Sequence, residues 1–209
     1  MQGSLFWVFF MTTTRPLALF DLDGTLTRRD TLSDLLFHEF GLGRCLAAGV
    51  RLSPWLLGVP AGIIHRDTAK VHVLRHFFGG LREADFEAMG RQYALNHLHE
   101  LLRPLARERL DWHRESGHRV IVVSASVSEW IRPWTESMGI ELIATELERR
   151  EGRITGNLAG TNCRGPEKVR RLRDVLDPGD YHPIHAYGDS RGDTEMLALA
   201  DHPVYRGLR

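Results

Sequence analysis

Residues 17–20, Leu-Ala-Leu-Phe, form an uninterrupted apolar run that ends abruptly in Asp21-Leu22-Asp23-Gly24-Thr25. A run without polar alternation predicts a strand buried on both faces of a parallel sheet. Residues 119–123, rich in β-branched side chains, and 184–187 also predict strands. Residues 140–145 and 147–154 are also strand-like, the second as part of a hairpin. Helical stretches lie between them: 104–117, opened by Pro104 and stopped by Gly117; 127–138, stopped by Gly139; 167–176, closed by Pro178-Gly179; and 194–200. This alternation predicts an α/β fold, a Rossmann-like parallel sheet with helices on both faces. The chain stops soon after the last of these helices, so a short sheet edge is expected.

Between 30 and about 99 no strong strand pattern appears. Asp30-Thr31 caps a helix expected to run through Phe40, where Gly41 and Gly43 stop it. Residues 45–64 are apolar but interrupted by Arg51, Pro54, Gly58, Pro60 and Gly62, which favours two short helices over one membrane span. Residues 67–78 and 83–97 are helical, joined by Gly79-Gly80. The chain therefore divides into core (1–29), an inserted helical unit (30–103) and core again (104–209). Within the first part, residues 1–14 stand apart as a disordered tail or misassigned leader. Residues 5–11 are apolar, too short to span a membrane, and lack the basic start and cleavage site of a signal peptide. Met11 is an alternative initiator.

Composition narrows the partners. The 209 residues carry 27 basic and 27 acidic side chains, a formal net charge of zero, which gives no reason to expect nucleic acid. Cys45 and Cys163 are far apart and without ligand spacing, so neither a disulfide framework nor a zinc site is expected, and a reducing, cytoplasmic compartment fits. The 11 histidines are scattered, and no transition metal is assigned.

The chemistry gathers at three predicted strand ends, where ligands bind in open α/β sheets. The first supplies Asp21 and Asp23. Two carboxylates so close raise each other's pKa unless a cation or proton lies between them. With a divalent metal, one can attack an electrophile while the other handles protons. The second strand end is Ser124-Ala125-Ser126, a source of hydroxyls and backbone donors. The third is Gly188-Asp189-Ser190-Arg191-Gly192-Asp193, whose two carboxylates across a glycine turn can face one cation. Oxygen ligands of this kind suit magnesium. Lys168, near the start of a predicted helix, can neutralise an anion or hold a nucleophilic carboxylate. Each residue has a plainer reading: Lys168 as a solvated surface lysine, Ser124 as a helix N-cap, the aspartates as a solvated loop.

Taken in order, Asp21 and Asp23, Ser124, Lys168, then Asp189 and Asp193 resemble the four motifs of the haloacid dehalogenase-like superfamily, subfamily IB, in the branch similar to phosphoserine phosphatase. The resemblance covers roughly 17–203. It implies a magnesium-dependent phosphomonoester hydrolase acting through an aspartyl-phosphate. Asp21 would be the nucleophile and Asp23 the acid and then the base. Ser124 and Lys168 would hold phosphoryl oxygens. Asp21, Asp23 (through its carbonyl), Asp189 and Asp193 would form the metal site. Thr25 and Ser126, beside these motifs, are assigned to substrate binding. The insert matches the family's helical cap of the C1 type.

For the substrate, the resemblance implies a small phosphorylated metabolite. Asp30 stands where phosphoserine phosphatases carry an acidic residue that holds the substrate amine, although beside Arg28-Arg29 it can equally form a hinge salt bridge. Arg51, Arg66 and Arg75 are candidates by composition for reading a substrate carboxylate. The segment Asn162-Cys163-Arg164-Gly165-Pro166-Glu167-Lys168 is partly similar to the phosphatidylglycerophosphatase C family. It points to Arg164 as an anion contact and to a lipid phosphate as the alternative substrate, with peripheral membrane contact. Residues 46–64 would then cover an acyl chain or touch a bilayer, or serve as ordinary core between cap helices. Histidinol phosphate, a phosphotransferase route and a non-enzymatic phosphate-binding scaffold stay open. A dehalogenase is disfavoured, since that chemistry needs neither Asp23 nor a magnesium site.

Overall fold

The computed structural model describes residues 15–208, so the expectation of a leader lies outside the described residues. Strand β1 (Arg15–Phe20) is central in a five-stranded sheet of order β3-β2-β1-β6-β7, formed with β2 (Arg119–Val127), β3 (Glu141–Thr145), β6 (Tyr181–Gly188) and β7 (His202–Tyr205). Every neighbouring pair is parallel. The apolar run has the consequence expected of it: Leu17 and Leu19 pack on one face, Ala18 and Phe20 on the other, all fully buried. Helix α8 (Pro166–Val175) and α9 (Thr194–Leu197) cover the first face through Leu172 and Met196. Helices α6 (Pro104–Glu115) and α7 (Arg132–Met138) lie on the second, through Leu110 and Trp134.

Five helices occupy the chain between β1 and α6: α1 (Thr31–Arg51), α2 (Ser53–Gly58), α3 (Arg66–Phe78), α4 (Glu83–Asn96) and α5 (Leu98–Leu101). The two segments linking this block to the sheet run side by side, joined by Arg28 N–H to Leu101 O (2.8 Å) and Arg103 N–H to Leu26 O (2.8 Å). The apolar cluster on the second sheet face continues into the block through Tyr93 and through Phe78 and Phe86, which pack against Trp130. A separate hairpin of β4 (Leu147–Arg150) and β5 (Arg153–Leu158) packs against α3.

The helix opened by Asp30 ends at Gly41 as expected: its φ of 73° and ψ of 164° leave the helical region, and a second helix follows at once to Arg51, the two together making up α1. Three other local expectations need correction. The helix expected over 127–138 starts later. β2 extends to Val127 through a register shift against β3, a 3-10 turn covers Ser128–Trp130, and Pro133 opens α7. The single strand expected over 147–154 is instead the first arm, the turn and the first two residues of the second arm of its hairpin. The tail adds β7, a short parallel edge strand.

Candidate active site

The turn after β1 presents two carboxylates in different surroundings. Asp21 is nearly buried, and its backbone N–H donates to Tyr187 O across the sheet (2.9 Å). Its Oδ1 accepts from Lys168 Nζ (2.6 Å) and its Oδ2 from Thr25 Oγ1 (3.0 Å). Burial raises the Asp21 pKa to about 6, against the pull of Lys168. Asp23 points elsewhere. Its Oδ1 accepts from Thr31 N–H (2.7 Å), at the start of α1, and its Oδ2 from Ser126 Oγ (2.5 Å). Burial, followed by the nearby Asp30 charge, pushes Asp23 up to about 7. One turn thus yields a carboxylate tied to a lysine and a second that keeps a proton near neutrality.

Lys168 enters from the first turn of α8 and is almost fully buried. Its Nζ donates to Asp21 Oδ1, Asp193 Oδ1 (2.7 Å) and Val123 O (2.6 Å), so all three donors are used. Burial opposes its charge, but Asp21 and Asp193 outweigh that and raise its pKa. The surface-lysine reading is thereby excluded. Asp193 is equally engaged: its Oδ2 accepts from Asp189 N–H (3.2 Å), Ser190 N–H (2.9 Å) and Ser190 Oγ (3.0 Å). Burial would raise the Asp193 pKa, but Lys168 and Ser190 more than reverse this and lower it.

Carboxylate oxygens of Asp21, Asp189 and Asp193 lie within 4.8 Å of one another. With Lys168 as counterion, three formal negative charges are offset by one positive, which leaves the charge that one divalent cation would balance. Gly24 (φ 86°) makes room for this group: a Cβ there would stand 2.5 Å from Asp189 Oδ2. The all-oxygen donor set and this cradle fit a hard cation such as magnesium. The Asp23 carboxylate does not join the group.

The other candidates divide. Ser124 is fully buried, its Oγ accepting from Ser126 N–H (3.0 Å), while Ala125 faces the cleft. Ser126 spends its hydroxyl on Asp23 and accepts from Thr31 Oγ1 (2.9 Å); Thr25 is likewise directed at Asp21. Asp30 and Arg164 both line the cleft. Asp30 caps α1, accepting from Ser33 N–H and Ser33 Oγ (both 2.8 Å). The alternative hinge salt bridge is not formed, because Arg29 reaches Asp34 (3.7 Å) and Arg28 donates to Glu100 O (2.5 Å). Of the three candidate arginines, Arg66 lines the cleft, whereas Arg75 is bound to Asn157 in β5 (2.6 Å).

Sequence reasoning missed Lys70. This lysine on α3 donates to Ala125 O (2.5 Å) and Asn162 Oδ1 (2.8 Å), linking the helical block to the carboxyl end of β2 and to the loop before α8. Burial lowers its pKa to about 8 despite Asp23 and Asp67. The signal was its register: Lys70, Leu74 and Phe78 follow the four-residue spacing of the buried helix face.

The fold and these converging strand ends define a hydrolase built around an aspartate held by a lysine. A family model for haloacid dehalogenase-like hydrolases matches residues 18–198, and the chain belongs to that family. CicA of Caulobacter vibrioides is 39% identical over 198 residues, which is 92% of this chain and 86% of CicA. A phosphoserine phosphatase of Archaeoglobus fulgidus is 27% identical over 187 residues, 88% of this chain and 50% of that protein. The crystal structure of a Bordetella pertussis protein of unknown function matches with a TM-score of 0.76 at 28% identity, covering 89% of this chain and 87% of the other. The family places the chain among hydrolases, and a probable phosphatase of Mycobacterium tuberculosis is 32% identical over 123 residues, 54% of this chain and 42% of that protein.

Proposed function

We propose that the protein is a magnesium-dependent phosphomonoesterase that works through an aspartyl-phosphate on Asp21, with a small phosphorylated metabolite as substrate. The observation that carries this reading is the contrast between Asp21, held by Lys168 and Thr25, and Asp23, which retains a proton near neutral pH.

Asp21 attacks phosphorus, forming the Asp21 O–P bond as the ester P–O bond breaks. Asp23 gives its proton to the departing alkoxide, then takes one from the water that attacks the same phosphorus. The Asp21 O–P bond breaks and inorganic phosphate leaves. A value near 7 suits a group that must act as acid and then as base. Lys168 orients Asp21 and offsets charge on the phosphoryl oxygens, with Ser124 and the loop backbone as the opposing donors. Asp21, Asp189 and the carbonyl of Asp23 would hold magnesium, braced by Asp193; when bound, the ion supplies charge neutralisation at the phosphoryl group. Asp30 and Arg164, on the cleft wall, face the rest of the substrate. The helical block between residues 30 and 103 is the cap over this cleft.

Phosphate release with magnesium across a panel of esters tests the reading. The panel comprises phosphoserine, histidinol phosphate, sugar phosphates, nucleotides and a micellar lipid phosphate, with Asp21→Asn as control. Turnover by the natural chain and none by the variant is expected; equal rates would remove Asp21 from the mechanism.

A further inference from the structure

Next to the catalytic cleft lies a second cavity of about 550 Å³, open to solvent and walled by α1, α2 and α3. Its walls are apolar, built mainly from Leu36, Ala48, Leu52, Leu56, Val73 and Phe77. Apart from Cys45, its polar lining residues are Ser33, Arg66 and Lys70, and each is tied to the cleft. Arg66 lines both cavities. Ser33 is hydrogen-bonded to Asp30, which lines the cleft, and Lys70 to the carbonyl of Ala125, which also lines it. The apolar chamber therefore adjoins the site along its one polar side.

Size and chemistry limit what fits. The volume lies within the range of small-molecule sites, and apolar walls left open to water gain free energy when a hydrocarbon ligand covers them. Around it, the second half of α1, α2 and the following turn expose Leu46, Val50, Leu57 and Ile63. A sugar or a nucleotide would leave its hydroxyls or base without partners against these walls.

We infer that the cavity between α1, α2 and α3 is a subsite for a hydrocarbon chain, so that the substrate is an amphiphile: a phosphate monoester whose phosphate meets Asp21 while its alkyl or acyl chain enters the chamber. Arg66 and Lys70 stand at the neck, where the anionic head gives way to the chain. This inference rests on the phosphomonoesterase reading above and narrows its substrate class.

A homologous series of n-alkyl phosphates from ethyl to decyl, kept monomeric and with excess magnesium, tests it. kcat/KM should rise about 3- to 4-fold for each methylene added, then level off once the chamber is filled. The matching alkylphosphonates, titrated calorimetrically, should show the same trend in Kd without any turnover. Gly49 lines the chamber, and a Cβ there meets no atom within 4 Å, so Gly49→Phe would fill the space. In that variant the ratio of kcat/KM for decyl over ethyl phosphate should fall toward one, a ratio from which any loss of folded enzyme cancels. A series flat in both kcat/KM and Kd, or no phosphonate binding at all, would overturn the subsite. A rising affinity series without turnover of any ester would instead overturn the phosphatase reading and leave the subsite standing. Both sources of such an amphiphile are covered by adding a diacyl phosphate monoester in phosphatidylcholine vesicles. Its preferential turnover assigns the chain to a membrane lipid, and preference for the dispersed esters assigns it to a soluble one.

Discussion

Lys168 holds Asp21 and Asp193 together through one buried ammonium group, and this arrangement makes its removal more costly than loss of a surface ion pair. Lys168→Met would leave two buried carboxylates facing each other without a counterion. A loss of about 3–5 kcal/mol is expected, read as a lower urea midpoint, together with near-complete loss of turnover. Unchanged stability would mean that the carboxylates do not depend on the lysine. Ser126 gives a subtler test. Its hydroxyl donates to Asp23 and holds the pKa of that carboxyl down, so Ser126→Ala should raise it. Because the first step needs Asp23 protonated, kcat/KM falls at alkaline pH, and this limb should shift to higher pH in the variant. A shift to lower pH would contradict the assignment of Asp23 as the acid.

At the scale of elements, legibility followed the strength of the local pattern. β1 could be read from Leu17-Ala18-Leu19-Phe20 because a central parallel strand is apolar on both faces, and Asp21 and Asp23 could be placed because they terminate it. β2 was harder. Ser124-Ala125-Ser126 looks like the end of a strand, yet the chain stays extended to Val127, because its hydroxyls are satisfied within the site rather than by solvent. β7 was missed because four residues carrying one proline have no periodicity; only pairing with β6 makes them a strand. Lys70 was missed because its partners, Ala125 and Asn162, are 55 and 92 residues away. The turn after β1 yields its own prediction. Gly24→Ala would force a Cβ to within 2.5 Å of Asp189 in a left-handed backbone conformation. The magnesium concentration for half-maximal activity should rise about 5- to 30-fold, since displacing one carboxylate by roughly 1–2 kcal/mol of strain weakens the site accordingly. An unaltered magnesium dependence would show that Asp189 does not need its present position.

Across the whole molecule, charge burial divides into two groups with opposite responses to pH. Asp21 and Asp23 have raised pKa values, so the stability they allow at low pH is lost as pH rises from about 4 toward 6 or 7. His113 does the reverse. It is buried between His118 (Nδ1 to Nδ1, 2.7 Å) and Tyr187 (2.9 Å), and burial, with His185 and His118 adding, pushes it down to about 3. The unfolded chain takes up this proton near pH 6.5 and the folded chain does not, so this stability is present above 6.5 and drains away as pH falls toward 3. Comparison with His113→Gln cancels the aspartate contribution. The stability of the natural chain relative to the variant should fall by up to about 1.4 kcal/mol per pH unit below 6.5. A constant difference between pH 7.5 and 4.5 would show that His113 takes up its proton as readily in the folded chain as in the unfolded one. Among the described residues no helix is long and apolar enough to cross a membrane.

The central claim is a covalent phosphate on Asp21, and acid quenching tests it most directly. The protein, with magnesium and a ³²P-labelled ester that it turns over, would be stopped in acid during steady-state turnover and the label located by peptide mapping. Label on the peptide containing Asp21, released by hydroxylamine and absent from Asp21→Asn, is the predicted result. Turnover with no protein-bound label, and no loss of turnover in Asp21→Asn, would contradict the account.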